Sequence, residues 1–96
     1  MESDELDFEW DSLKAELNQR KHGVSFDSAR TAFADSLSIT IPDPDHSIEE
    51  DRFLLMGNTA SGMLIVVIFT QRADKIRLIS ARRASSRERR LSLIHI

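Results

Sequence analysis

The sequence predicts an α+β fold: an antiparallel sheet of about four strands with two N-terminal helices and one C-terminal helix. Three observations indicate this class. Apolar residues repeat with helical spacing between residues 12 and 33, and between 37 and 82 they alternate or form short runs separated by turn residues. A capping pattern then opens a basic segment after residue 85. Because 96 residues suffice for one modest core, we expect a single domain over residues 1–96.

The first predicted elements are a short strand and a helix. Leu6, Phe8 and Trp10 alternate with acidic residues, which is typical of a half-buried strand. Asp11 follows at the position of a helix N-cap, and Gly23 stands where a left-handed residue would end that helix. The chain between these two residues is therefore predicted to be helical.

This helix has two distinct faces. Leu13 and Leu17 share one of them, and polar side chains form a stripe on a neighbouring face. The stripe consists of Lys14, Asn18, Lys21 and His22. A second, shorter helix is predicted after Ser25, which would cap it, because helical spacing continues as far as Phe33.

The strands follow from a change of period after residue 36. They are predicted at residues 37–41, 53–56, 63–69 and 75–82, with turns at 42–45, 58–62 and 71–74 between them. The third run is apolar on both faces, which is typical of a central strand. Ser85 and Glu88 have the spacing of a capping box, which predicts a final basic helix.

Charge is distributed unevenly along the chain. The formal net charge is −3, yet residues 1–51 hold fourteen acidic and four basic residues, whereas residues 52–96 hold two acidic and nine basic residues. The two parts therefore carry net charges of −10 and +7. Since one part repels phosphate and the other attracts it, the overall charge does not exclude a nucleic-acid partner.

Composition excludes several classes of protein. The absence of cysteine excludes disulfides, a thiolate zinc site and a cysteine nucleophile, and it is compatible with a reducing compartment. The longest apolar run, residues 63–69, is far shorter than the ~20 residues that span a bilayer, so no membrane role is expected. The acidic residues 1–10 do not have the pattern of a secretory signal, and we expect a cytoplasmic protein.

Positive charge is concentrated in the last strand and the helix after it. If the strand is regular, one face carries cations that lie near those of the helix: Lys75, Arg77, Arg83, Arg87 and Arg90. Arg82 would then lie on the opposite face with Ile76 and Leu78, where it would need a partner. Ten of the thirteen basic residues are arginines, which bind phosphate bidentately. The cluster is either a phosphate-binding surface or a solvated face that pairs with the acidic part of the chain.

Three further residues are candidates for chemistry. His22 ends the first helix, where it either stabilises the helix terminus or holds a phosphate and donates a proton. His46 lies among Asp and Pro residues, in a segment that is either a turn or a site for a divalent cation. Glu50 lies in an acidic run beside Arg52, and it is either a general base or part of a solvated surface.

A set of motifs occurs in a fixed order along the chain. It comprises Phe8–Asp11, Lys14, Asn18, Lys21–Phe26, Ala29, Phe33, Glu50–Arg52, Gly57, Arg72, Ile76–Arg82, Ala84 and Glu88–Arg89. Together these motifs resemble the BrnT family of toxins over about residues 7–90. Residues 91–96 depart from the family, because they are apolar where the family more often has an aromatic residue and a polar tail.

The resemblance implies a RelE-like microbial ribonuclease fold and a type II toxin that cleaves RNA and inhibits translation. It also implies neutralisation by a BrnA-type antitoxin, whose ribbon–helix–helix domain binds the promoter of the operon. The toxin would meet that DNA only through its antitoxin. Neither a cofactor nor a metal ion is expected.

RNA cleavage without a metal uses the ribose 2′-hydroxyl as nucleophile and needs a base, an acid and stabilisation of the added negative charge. The predicted catalytic residues are Arg77, Arg82, His22, Glu50 and Arg72, and the predicted substrate-binding residues are Lys14, Lys21, Arg52, Arg83 and Arg87. On this hypothesis Arg77 and Arg82 stabilise the transition state, and Glu9 or Glu50 acts as the base. The products would be a 2′,3′-cyclic phosphate and a 5′-hydroxyl.

Two other functions stay open at this point. One is a non-catalytic module whose basic part docks nucleic acid or an acidic protein. The other is a metal-dependent nuclease built on His46 and the acidic run Glu49–Asp51.

Overall fold

One mixed sheet organises residues 6–44 and 51–94, the parts of the chain that the computed structural model describes. The elements in chain order are β1 (Asp7–Glu9), α1 (Ser12–His22), α2 (Phe26–Ala29), a 3₁₀ helix (Arg30–Ala34), β2 (Ile39–Pro42), β3 (Arg52–Asn58), β4 (Leu64–Arg72), β5 (Lys75–Arg83) and α3 (Ser86–Ile94). The strand order is β1-β5-β4-β3-β2. The predicted α+β class is therefore confirmed.

The sheet differs from the prediction in strand number and direction. Within residues 6–44 and 51–94 it has five strands rather than about four, and it is mixed rather than antiparallel, because β1 pairs with β5 in parallel. In this pairing Phe8 lies opposite Ile76 and Glu9 lies opposite Arg77. The alternating pattern around Phe8 predicted the strand itself. The strand is only three residues long and its partner lies far along the chain, so its place in the sheet was missed.

Capping residues set the ends of the helices as predicted. The Asp11 carboxylate accepts hydrogen bonds from the backbone N–H of Leu13 at 2.9 Å and of Lys14 at 3.1 Å. Gly23 ends α1 in the left-handed region at φ 73°, and its N–H donates to the Gln19 carbonyl at 2.8 Å. Ser85 and Glu88 form the predicted capping box of α3.

The main core lies between one face of the sheet and the helical segment that follows α1. Its buried side chains come from the strands and from residues 24–32: Val24, Phe26, Ala29, Ala32, Leu55, Ile65, Val67, Phe69, Ile76, Leu78 and Ala81. The Phe33 ring packs edge-to-face against Phe8 and Phe69, with centroids 5.1 and 5.0 Å away. Full burial of one large apolar side chain contributes about 1.5–3 kcal/mol. Because most of the buried apolar side chains lie on this face, it accounts for most of the hydrophobic stabilisation. We call it the core face.

The opposite face of the sheet is covered only in part. Leu64, Val66 and Ala84 form a small second cluster there. A depression of about 230 Å³ between α3 and the β2 edge is lined by Ile39, Ile41, Leu54, Met56, Glu88 and Leu91. Helix α3 therefore lies over the β2–β3 side of this face.

Helix α1 packs inward through Asn18 and Ala15 rather than through its leucines. Asn18 is buried, whereas Leu13 and Leu17 are 62% and 51% exposed. Lys14 and Lys21, which were predicted to share a stripe with Asn18, are exposed. The sequence pattern did not indicate that Asn18 contacts the sheet, because a polar residue can be buried when its hydrogen bonds are satisfied there.

Gly57 in β3 lies at a close approach between the sheet and the helical segment. A Cβ at this position would stand 2.9 Å from the Ser38 Cβ and 3.2 Å from the Ala32 carbonyl oxygen. Both distances are shorter than ordinary contacts, so any side chain here would push the two layers apart.

We therefore expect Gly57→Ala to lower the free energy of unfolding by about 1–3 kcal/mol, measured by urea denaturation. Adding Ser38→Gly removes the nearest atom and should restore part of the loss in a double-mutant cycle. An unchanged midpoint for Gly57→Ala would contradict this packing.

Candidate active site on the sheet face opposite the core

A β-bulge in β5 determines where its arginines lie. Leu78 pairs with Phe69 and Ser80 pairs with Ile68, so Ile79 has no partner on β4. Two residues of β5 thus occupy the space of one, and the alternation of side chains reverses at this point.

The bulge overturns the predicted faces of two arginines. Arg82 lies opposite Val66, on the face that also carries Arg77, whereas it was predicted on the face of Ile76 and Leu78. Arg83 lies opposite Ile65 and so belongs to the core face, whereas it was predicted beside Arg77. A regular strand was assumed, and one extra residue exchanges the two faces beyond it.

Four side chains form a row across the uncovered part of the sheet. The register places Arg52, Thr70, Arg77 and Glu9 side by side on β3, β4, β5 and β1. The Arg77 Nη1 lies 3.7 Å from the Glu9 Oε2, and both side chains are about one-third exposed, at 31% and 30%. Thr70 is buried between the arginines, and its hydroxyl donates to the Asp51 carbonyl at 2.7 Å.

More charged groups surround this row. The next row along the strands carries Arg72 and Lys75, with Asp7 beyond them. We call Arg52, Arg72, Lys75 and Arg77 the arginine face.

The N-terminus of α1 lies beside the arginine face. The pKa of Asp11 is lowered, first by the backbone hydrogen bonds from Lys14 and Leu13 and further by the positive charges of Lys14 and Arg77. Lys14 and Arg77 thus both lie within electrostatic range of one carboxylate.

Arg82 is held by a carboxylate of α3. Its Nη1 and Nη2 donate to the two Glu88 carboxylate oxygens at 2.8 and 2.9 Å, and Glu88 also accepts from the Ser85 N–H at 2.8 Å. The pair raises the pKa of Arg82 and lowers that of Glu88 to about 2. The pair ties α3 to β5.

Comparison with known proteins decides the family. Residues 10–88 match the family described as the ribonuclease toxin BrnT of type II toxin–antitoxin systems. This chain belongs to the BrnT family. The motif-based prediction is thus confirmed, and membership implies an RNA substrate and an antitoxin partner.

A solved structure of the same family has a similar fold. The crystal structure of the Brucella abortus ribonuclease toxin BrnT is 25% identical to this chain, covers 84% of it and 99% of its own chain, and superposes with a TM-score of 0.67. No curated protein matches the chain in sequence.

Of the other site residues predicted for a BrnT toxin, Arg52 and Arg72 belong to the arginine face, and several of the rest lie apart from it. His22 ends α1 about 16 Å along the helix axis from Asp11, so it does not meet the Arg77–Glu9 pair. Lys14, Lys21, Arg72, Arg83 and Arg87 are all exposed. Glu50, Glu49 and His46 lie outside the described residues.

Two further features concern partners of other kinds. Within residues 6–44 and 51–94, no three His, Asp or Glu side chains come close enough together to hold a metal ion. In the same ranges no helix has the length and apolar character needed to cross a membrane.

The sequence contained one unused signal for the site. Asp7 and Glu9 are two residues apart, as are Lys75 and Arg77, and the structure pairs acid with cation at both positions. Matched spacing of opposite charges could have suggested that β1 lies beside β5.

The Arg82–Glu88 pair should make the free energy of unfolding depend on pH. Because folding lowers the pKa of Glu88 from 4.5 to about 2, its stabilisation is complete above pH 4.5 and is lost as the pH falls towards 2. We expect Glu88→Gln to cost about 1–2 kcal/mol at neutral pH, a value reduced for partial solvent exposure.

The measurement is urea denaturation of both proteins between pH 2 and 7. Glu16→Gln, which removes an exposed α1 pair with Arg20, is the matched control and should cost less than about 0.5 kcal/mol. A Glu88→Gln cost that is independent of pH would contradict the assignment.

Proposed function

We propose that this toxin is an endoribonuclease of RelE-like fold that cleaves RNA by attack of the ribose 2′-hydroxyl, without a metal ion, and thereby inhibits translation in the cytoplasm. The observation that carries the proposal is the Glu9–Arg77 pair in one row with Arg52. A carboxylate and a guanidinium side by side are the two groups that this reaction needs most.

The geometry suggests a role for each group. Glu9 takes the proton from the 2′-hydroxyl, whose oxygen then bonds to phosphorus. Arg77 stabilises the negative charge that develops on the phosphoryl oxygens. As the bond from phosphorus to the 5′-oxygen breaks, Lys14 protonates that oxygen. The products are a 2′,3′-cyclic phosphate and a 5′-hydroxyl.

Lys14 is chosen over His22 as the acid because of its place on α1. Lys14 and Arg77 both act on Asp11, whereas His22 lies at the far end of the helix. Glu9 is chosen over Glu50 as the base because Glu9 contacts Arg77 directly.

The remaining cations bind substrate. Arg52, Arg72 and Lys75 adjoin Arg77 and would hold phosphates on either side of the cleaved bond. Arg82 lies two rows away, about 13 Å along the strands, and both terminal nitrogens of its side chain already bind Glu88. Arg82 therefore anchors α3 rather than stabilising the transition state.

We expect Arg77→Ala to lower kcat for RNA cleavage by about 10²–10³-fold, because the charge of the transition state loses its main donor. Arg30→Ala, which removes an exposed arginine from the 3₁₀ helix that packs on the core face, is the matched control. The assay uses purified protein and an RNA oligonucleotide, and expression of the wild type alone should arrest growth. Equal losses in the two variants, or cleavage of a substrate with deoxyribose at the scissile position, would contradict the mechanism.

We further propose that the partner is a BrnA-type antitoxin with a ribbon–helix–helix domain that binds the operon promoter. The outer face of α1 suits a segment of such a partner, since Leu13 and Leu17 are exposed there beside Lys14 and Lys21. Apolar side chains flanked by lysines complement an acidic amphipathic segment. Such a segment would cover Lys14 and so block the site.

The docking face can be tested with Leu13→Glu/Leu17→Glu. This double variant should weaken binding of the purified antitoxin, the product of the neighbouring reading frame, by about 100-fold or more and abolish rescue of growth. Leu37→Glu, at a side chain 64% exposed outside α1, is the control that should bind normally. Normal binding of the double variant would contradict this face, and failure of the neighbour's product to bind wild type would contradict the partner.

A further inference from the structure

Asn18 is the buried side chain that joins α1 to β5. It is 8% exposed, and its Nδ2 donates to the Ala81 carbonyl at 2.9 Å and to the Val24 carbonyl at 3.0 Å. Its Oδ1 accepts from the Ala81 N–H at 3.1 Å. The amide nitrogen and the amide oxygen of Asn18 therefore both form hydrogen bonds with backbone groups.

The β5 edge needs such a partner at this point. Strand β1 pairs with β5 only from Lys75 to Arg77, so it does not reach Ala81. Ala81 is fully buried, and its N–H and C=O would be costly to leave unpaired. The Asn18 amide supplies one donor and one acceptor to the same residue, as a neighbouring strand would.

The position of this contact relates it to the site. Ala81 lies two residues after Ile79, the residue that the bulge leaves without a partner, so Asn18 fixes β5 where its faces exchange. On α1, Asn18 lies one turn after Lys14. The Asn18 side chain thus joins α1 to β5 by hydrogen bonds.

We propose that Asn18 is a positioning residue for the cleavage reaction. It holds α1 against β5 at Ala81, and so fixes where the helix that carries Lys14 lies relative to the strand that carries Arg77. This inference rests on the proposed ribonuclease function. Asn18 itself does not contact the reacting atoms.

The test is the kinetics of Asn18→Asp, which keeps the size and the acceptor but removes both N–H donors. Measured well below its melting temperature, this variant should lose about 10–100-fold in kcat while KM for RNA stays within about twofold, because the arginine face still binds phosphate. Gln19→Asp adds the same charge at the next, exposed position and is the matched control. Gly57→Ala, which is destabilised elsewhere, should keep its kcat when folded.

Each outcome is decisive. An Asn18→Asp enzyme that is folded and has wild-type kcat would overturn the positioning role, and so would equal effects in Gln19→Asp or Gly57→Ala. If Asn18→Asp does not fold, Asn18→Ser replaces it, since the shorter hydroxyl cannot span to Ala81. Unfolding of both variants would show that Asn18 serves folding only. Wild-type protein that cuts no RNA would instead overturn the proposed function.

Discussion

The extra residue in β5 is the constraint on which the arrangement of this toxin depends. Because Ile79 has no partner on β4, every side chain of β5 beyond it lies on the opposite face from the one that regular alternation would give. Ala81 can then contribute to the core while Arg82 remains on the side of Arg77. The bulge thus allows one strand to serve a buried core and a charged surface at once.

The same strand is stabilised differently at its two ends. Near Arg77 its outer edge pairs with β1, and near Ala81 it pairs with the Asn18 side chain. The acidic part of the chain supplies both partners, and it also supplies Glu9 and Asp11 beside the arginine face. The net charges of −10 and +7 for residues 1–51 and 52–96 are therefore separated along the sequence but not in the folded structure. In the fold, acidic groups balance the cations where a phosphate-binding surface would otherwise repel itself.

Local features of this fold were predictable, and long-range ones were not. The starts of the helices were predictable from Asp11, Ser25 and the Ser85–Glu88 capping box, because a cap is a contact between residues that are close in sequence. The family was predictable from sequence motifs, and the match to the family covers residues 10–88. In contrast, the pairing of β1 with β5 depends on residues at opposite ends of the chain.

The orientation of α1 and the position of the bulge could not be predicted from the sequence pattern. In the sequence Asn18 has the pattern of an exposed polar residue, although its amide binds Ala81, and Ile79 has the pattern of one more alternating residue, although it has no partner on β4. For the site, Arg77 and Glu9 were identified individually by charge and resemblance. That Arg77 and Glu9 are adjacent could be known only from the register of the sheet. That Arg83 lies on the other face could be known only from the bulge.

We propose that RNA binds the face that carries Arg77 and not the core face that carries Arg83. The most direct measurement is an NMR titration of the arginine side-chain Nε–H signals with an uncleavable RNA oligonucleotide that has deoxyribose at the scissile position. We expect saturable shifts at Arg77 and Arg52 and little change at Arg83. Shifts at Arg83 with Arg77 unaffected would contradict it.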